Sequence, residues 1–188
     1  MTSTVTSPTG KTLHHRATHT TTPKESAEAK VIRVQMAQQK RVEENLEYLK
    51  NANVKAFLAM IGKSEGGDYH AKYGWHPGST EWSFTDESTH PGFGYKGLSS
   101  ASGLYQINKA CWQEHGVKAQ GLSDFSPATQ DLIAVQAIRY RKAIDDVVAG
   151  NLKEAIGKLK KNEWVSFQVH SYEDLERWYT QAGGSVAK

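Results

Sequence analysis

Glu65 is the acidic residue best placed by its neighbours to handle a proton. Val54, Phe57, Leu58 and Ile61 recur at i, i+3, i+4 and i+7, the spacing of a helix buried on one face. Glu65 lies one turn beyond Ile61 on that face, and Gly66-Gly67, two residues without a Cβ, then favour a C-terminal turn. A carboxyl group there, facing an aromatic-rich stretch, is partly withdrawn from water, which raises its pKa and favours the protonated acid. The helix C-terminus pushes the same way, modestly. A protonated carboxyl is what general acid catalysis needs. By local pattern alone, however, Glu65 is more commonly read as a solvated helix-terminal residue.

The second candidate segment is Leu98-Ser-Ser-Ala-Ser-Gly-Leu-Tyr-Gln-Ile107. Its small residues allow close backbone approach ahead of a phenol and an amide. Amides hydrogen-bond sugar hydroxyl and N-acetyl groups and aromatic faces pack on pyranose rings, so the run suits a sugar site. Taken alone it is equally a tight turn leading into a helix.

The elements that must position these groups follow from patterning. Residues 66–103 are rich in Gly, Ser, Thr, Pro and aromatics, which predicts short strands and loops with a small hairpin layer near Trp82 to Thr85. Helical patterning resumes at Tyr105. Ser126-Pro127 reads as an N-cap followed by Pro in the first turn, and Ile133, Ala137, Tyr140, Ile144, Val147 and Val148 predict one core stripe running to Gly150. Two further helices are predicted, one around Leu152 to Leu159 and one capped by Ser171 and ending at Gly183-Gly184. The fold class is therefore α+β, mainly helical, with an irregular aromatic lobe inserted after the first core helix.

The chain has 188 residues and a net charge of +3, and residues 1–50 hold 8 Lys/Arg against 5 Asp/Glu, so the whole excess lies there. Three parts are expected: a disordered basic tail at 1–23, a helical extension at 24–50 and a compact body at 51–188. The tail has too little apolar area to offset its ordering entropy and suits transient contact with anionic envelope surfaces. His14, His15 and His19 in that tail could in principle bind a metal, but no carboxylate or cysteine is nearby. Ile32, Met36, Val42, Leu46 and Leu49 give the extension a thin apolar stripe that needs a docking partner: the body, a second chain or a larger assembly.

Composition excludes several function classes. No apolar run approaches the ~20 residues of a membrane span. Cys111 is the only cysteine, so neither an intramolecular disulfide nor a four-cysteine zinc site can form. The amino terminus lacks the apolar core of a signal peptide. The body carries 15 charges of each sign, which argues against a nucleic-acid binder. His70, His76, His90, His115 and His170 show no close metal-ligand spacing among themselves, and no metal site is expected.

Lys55-Ala-Phe-Leu58, Ser64-Glu65-Gly66, Phe84-Thr85-Asp86, His90-Pro91, Ser99 through Gly103, Tyr105-Gln106, Asp124-Phe125-Ser126-Pro127 with Gln130-Asp131, and Ala182-Gly183-Gly184 occur in this order. On these motifs the body, from about Val54 to Val186, resembles the lambda-lysozyme-like lytic transglycosylases, glycoside hydrolase family 104, which include phage endolysins. The resemblance implies a two-lobed lysozyme-like fold, action on peptidoglycan glycan strands as a monomer without metal or organic cofactor, and a single catalytic glutamate, Glu65. It implies substrate binding by Ser99, Ser100, Tyr105 and Gln106, with Asp86 on the facing lobe, where Asp86 could equally brace a loop. Leu104 stands where the family relative has Arg, so a cationic contact from that position is missing. Trp164 to His170 is shorter than the Pro-, Gly- and aromatic-rich segment of the relative, so the resemblance does not specify that wall of the cleft. Residues 1–50 have no counterpart.

The implied reaction cleaves the bond from N-acetylmuramic acid to N-acetylglucosamine with closure of a 1,6-anhydro ring. The alternatives are a hydrolytic muramidase with Asp68 or Asp86 as second carboxylate, and a non-catalytic wall-binding module. The implied setting is the host cytoplasm until a holin releases the enzyme, or else a virion-associated or delivered lysin.

Overall fold

The computed structural model describes residues 5–6, 12–13 and 25–187. The chain divides into two units, Met1–Ile32 and Arg33–Lys188. In the first, β1 (Val5–Thr6) pairs antiparallel with β2 (Thr12–Leu13). The disorder expected for residues 1–23 otherwise falls outside the described residues.

Helix α1 spans Ala27–Tyr48. Its second half is held on the body by polar groups. Asn45 is fully buried; its amide donates to Gln120 Oε1 at 2.8 Å and Gln136 Oε1 at 3.2 Å, and its oxygen accepts from Arg139 Nη1 at 2.7 Å. Gln38 donates to the carbonyls of Val117 and Lys118, and Arg41 to that of Ala119. The apolar residues Met36 and Leu46 stay exposed.

Helix α2 (Ala52–Glu65) is the centre of the body. Asn51 caps it by accepting from the amides of Asn53 and Val54. Val54, Phe57, Leu58 and Ile61 are buried as their spacing predicts. Phe57 meets Phe167 and Tyr179 edge-on, with ring centroids 6.1 and 6.5 Å apart. The helix ends at Gly66, whose φ of +62° is the left-handed conformation that a residue without a side chain adopts at little cost.

The lobe that follows contains no strand ladder among the described residues. The expected hairpin layer near Trp82 to Thr85 is replaced by three single bridges, Ala71↔Ser83, Lys72↔Ser102 and Ser102↔Ile107. The physical reason is local: Trp82 sits at φ +58° and Gly74 at φ +97°, and left-handed residues break the two-residue alternation that a ladder needs.

The turn α3 (Lys109–Cys111) runs directly into a π-helix, Trp112–Lys118. Helix α4 (Pro127–Tyr140) begins after Ser126, whose hydroxyl accepts from the amide of Thr129. The single stripe predicted to run to Gly150 is in fact two helices. Lys142, at φ +56°, ends α4, and α5 (Ile144–Ala149) starts afresh; Tyr140, predicted as core, is exposed. Then come α6 (Leu152–Leu159), a 3-10 turn at Val165–Gln168, and α7 (Tyr172–Gln181), capped by Ser171. Helices α5 and α7 pack on α2.

Candidate active site

Glu65 occupies the last position of α2, half-buried, with a hydroxyl from the distant 3-10 turn against it: Ser166 Oγ donates to Glu65 Oε1 at 2.5 Å. Ser166 Oγ also lies 3.1 Å from Ser64 Oγ, which donates to the Ile61 carbonyl at 2.9 Å. Because Ser64 already has an acceptor, the single proton of Ser166 is free to point either way. It donates to Glu65 when Glu65 is a carboxylate; when Glu65 is protonated, the acid donates to Ser166 and Ser166 donates to Ser64. The arrangement accommodates both protonation states without moving a heavy atom. His170 Nε2 hydrogen-bonds the Ser64 carbonyl at 3.1 Å and its ring meets Trp178 edge-on.

Burial raises the Glu65 pKa above its ordinary value, opposed by the Ser166 hydrogen bond and by the positive field of His170. No carboxylate is among the groups that shift it. Asp68 and Asp86 are both exposed, and each accepts from a backbone amide two residues on, His70 and Ser88 respectively. The Ser88 contacts hold Asp86 below its usual range. Both aspartates are thus engaged in shaping their own turns.

The segment Leu98 to Ile107, expected to bind sugar, is laid across the end of α2 by two close approaches. A side chain on Gly67 would strike the Leu104 carbonyl, 2.7 Å from its Cβ position, and one on Gly103, at φ +75°, would strike Gln130 Oε1 at 2.0 Å. Gln130 is fully buried; it accepts from the Leu104 amide at 3.0 Å and donates to the carbonyls of Tyr69 and Phe125. Leu104 itself packs on Gly62 of α2, so the apolar side chain that replaces the relative's Arg is part of the body.

The predicted binding residues fall in different places. Ser99 and Ser100 are half-buried and border an open groove of about 650 Å³ with the exposed Phe93 and Leu98. Their hydroxyls accept from the amides of Ala101 and Lys109. Tyr105 is buried, and its hydroxyl donates to Asp131 Oδ1 at 2.6 Å, beside a second donation from Tyr69 at 2.8 Å. It supports the segment from behind. Gln106, half-buried, turns its amide to the Gly103 carbonyl. Sequence reasoning did not assign roles to Ser166, His170, Gln130 or Asp131; for the last two the Gln130-Asp131 pair was a visible signal, whereas Ser166 lies 101 residues from Glu65 with no local pattern. Burial pushes the Cys111 thiol up to about 12.

The profile of the Endolysin family matches residues 55–186. The chain belongs to that family. The endolysin of Escherichia phage P2 is 37% identical over 160 residues, 72% of this chain and 95% of that protein. That of Escherichia phage lambda is 32% identical over 151 residues, covering 72% and 94%. Among solved structures, bacteriophage lambda lysozyme complexed with a chitohexasaccharide superposes with a TM-score of 0.61 at 32% identity, over 73% of this chain and 97% of that one. This endolysin is thus a lambda-like phage protein of the peptidoglycan-degrading, lysozyme type.

Proposed function

We propose that this endolysin is a lytic transglycosylase and that Glu65 alone carries the proton through both steps. The observation that carries the reading is a half-buried carboxyl group whose pKa is raised by burial, partnered by a hydroxyl that serves either protonation state and, among the described residues, shifted by no second carboxylate. Protonated Glu65 gives its proton to the glycosidic oxygen as the bond from C1 of N-acetylmuramic acid breaks. The carboxylate then takes the proton of the C6 hydroxyl while its oxygen bonds to C1. No water enters, the product is a 1,6-anhydro sugar, and Glu65 ends as it began. The internal nucleophile has the large effective concentration of an intramolecular reaction, which removes the need for the second carboxylate of ordinary glycosidases.

The glycan strand is the substrate. The chitohexasaccharide held by the lambda lysozyme supports a sugar cleft in the matching body, for which Ser99, Ser100 and Gln106 supply polar groups. The body at 51–188 carries the chemistry, and residues 1–50 serve contact with anionic envelope surfaces or delivery. Among the described residues no helix is long and apolar enough to cross a membrane. The setting of this reading is storage in the host cytoplasm until a holin opens the way to the wall. The Glu65→Gln protein tests the assignment: it should bind purified peptidoglycan in a sedimentation assay while losing at least about 10²-fold in clearing rate, the scale of general acid–base catalysis. Near-normal clearing would assign catalysis elsewhere.

A further inference from the structure

A second cluster of chemically capable side chains is assembled from two parts of the chain. Cys111 and His115 are four residues apart at the junction of α3 with the π-helix, and Glu163 comes from the turn after α6; one donor atom from each lies within 4.8 Å of the others. His115 is 6% exposed, and its ring packs against Tyr140 with centroids 5.2 Å apart. A π-helical segment is itself a common mark of a functional site.

We propose that Cys111, His115 and Glu163 bind a transition-metal dication of the zinc class. Thiolate, imidazole and carboxylate are the ligand types of zinc or cobalt(II), and the sulfur disfavours magnesium and calcium. Binding releases the Cys111 proton to solvent, and the thiolate and the Glu163 carboxylate then neutralise the ion. Arg141 Nε donates to Glu163 Oε1 at 2.6 Å, which orients the carboxylate and leaves Oε2 for the metal, the usual role of a group behind a ligand. A cavity of about 50 Å³ that Cys111 and Glu163 border, together with Asn108 and Asn162, has room for a water beside these two groups. The metal would tie the π-helix to the turn that leads through Trp164 into Val165–Gln168, the segment that brings Ser166 to Glu65. Binding is independent of how the glycan is cleaved.

The test uses the full-length protein, stripped with chelator and titrated with cobalt(II). Cys111 is the only cysteine, so a near-ultraviolet sulfur-to-cobalt charge-transfer band arises from this site or not at all. One equivalent of cobalt should produce that band with the visible absorption of a four-coordinate ion, and zinc should bleach it. Cys111→Ser should abolish the band, and His115→Ala and Glu163→Gln, which keep the thiol, should weaken cobalt binding tenfold or more. Circular dichroism checks that each variant is folded. Cobalt binding without the charge-transfer band overturns the proposal and points to other ligands, such as the histidines at 14, 15 and 19. A full band at unchanged affinity in both thiol-retaining variants overturns it as well.

Discussion

At the level of single residues, the Glu65 to Ser166 hydrogen bond governs the acid. Ser166 donates to the carboxylate and so opposes the upward pull of burial. Ser166→Ala removes that opposition. The Glu65 pKa then rises further, and the descending limb of the pH–rate profile, where the acid is lost, moves to higher pH. The maximal kcat should fall by about tenfold or more, the equivalent of about 1.5 kcal/mol for a hydrogen bond to a charged group, with KM little changed. Ser166→Thr keeps the hydroxyl and should restore both the descending limb and the rate. A profile unmoved by the alanine change would mean that Ser166 only packs. Stability gives a second readout. A folded-state pKa above the unfolded one means that the folded protein is fully stabilised below the unfolded pKa and loses that stability as pH rises through the folded value. Glu65→Gln has no such loss, so its melting temperature should exceed that of the wild type at neutral pH, and the gap should close on acidification to below about pH 4. The placement of Glu65 was legible in the sequence because helical period and Gly66-Gly67 are local signals. Its partner was not, because Ser166 reaches it only through the packing of α2 on the turn at Val165–Gln168.

Among the secondary-structure elements, hydrophobic period reports which face of a helix is buried but is blind to polar docking. The stripe in α2 predicted its core face, whereas α1 meets the body through Asn45, Gln38 and Arg41, and Met36 and Leu46 of its apolar stripe are exposed. Asn45→Ala leaves Gln120 and Arg139 short of buried partners and should lower unfolding free energy by about 1–3 kcal/mol in urea titration; an unchanged midpoint would mean that α1 is not held by this network. The same blindness hid the break between α4 and α5, since the core stripe of Ile133, Ala137, Ile144 and Val147 reads through Lys142, whose left-handed backbone resets the helix. In the aromatic lobe, composition correctly indicated turns, and the left-handed Trp82 explains why no ladder forms. Gly103 is the most constrained of these turns. Gly103→Ala combines φ +75° with a collision on Gln130 and should cost about 1–3 kcal/mol, along with much of the lytic rate, because the segment beside Glu65 must shift.

Taken whole, the molecule joins a body matched by the Endolysin family over residues 55–186 to an amino-terminal region outside that match. The body sets one half-buried acid at the end of its central helix, while Asp68 and Asp86 are tied up in their own turns. In the proposed mechanism one carboxyl group suffices because the substrate supplies its own nucleophile. Mass spectrometry of the muropeptides released from purified peptidoglycan is the decisive check. Products one water lighter than the reducing-end sugars, absent with Glu65→Gln, are predicted. Products that all carry a reducing end would contradict the mechanism and require a water-activating carboxylate.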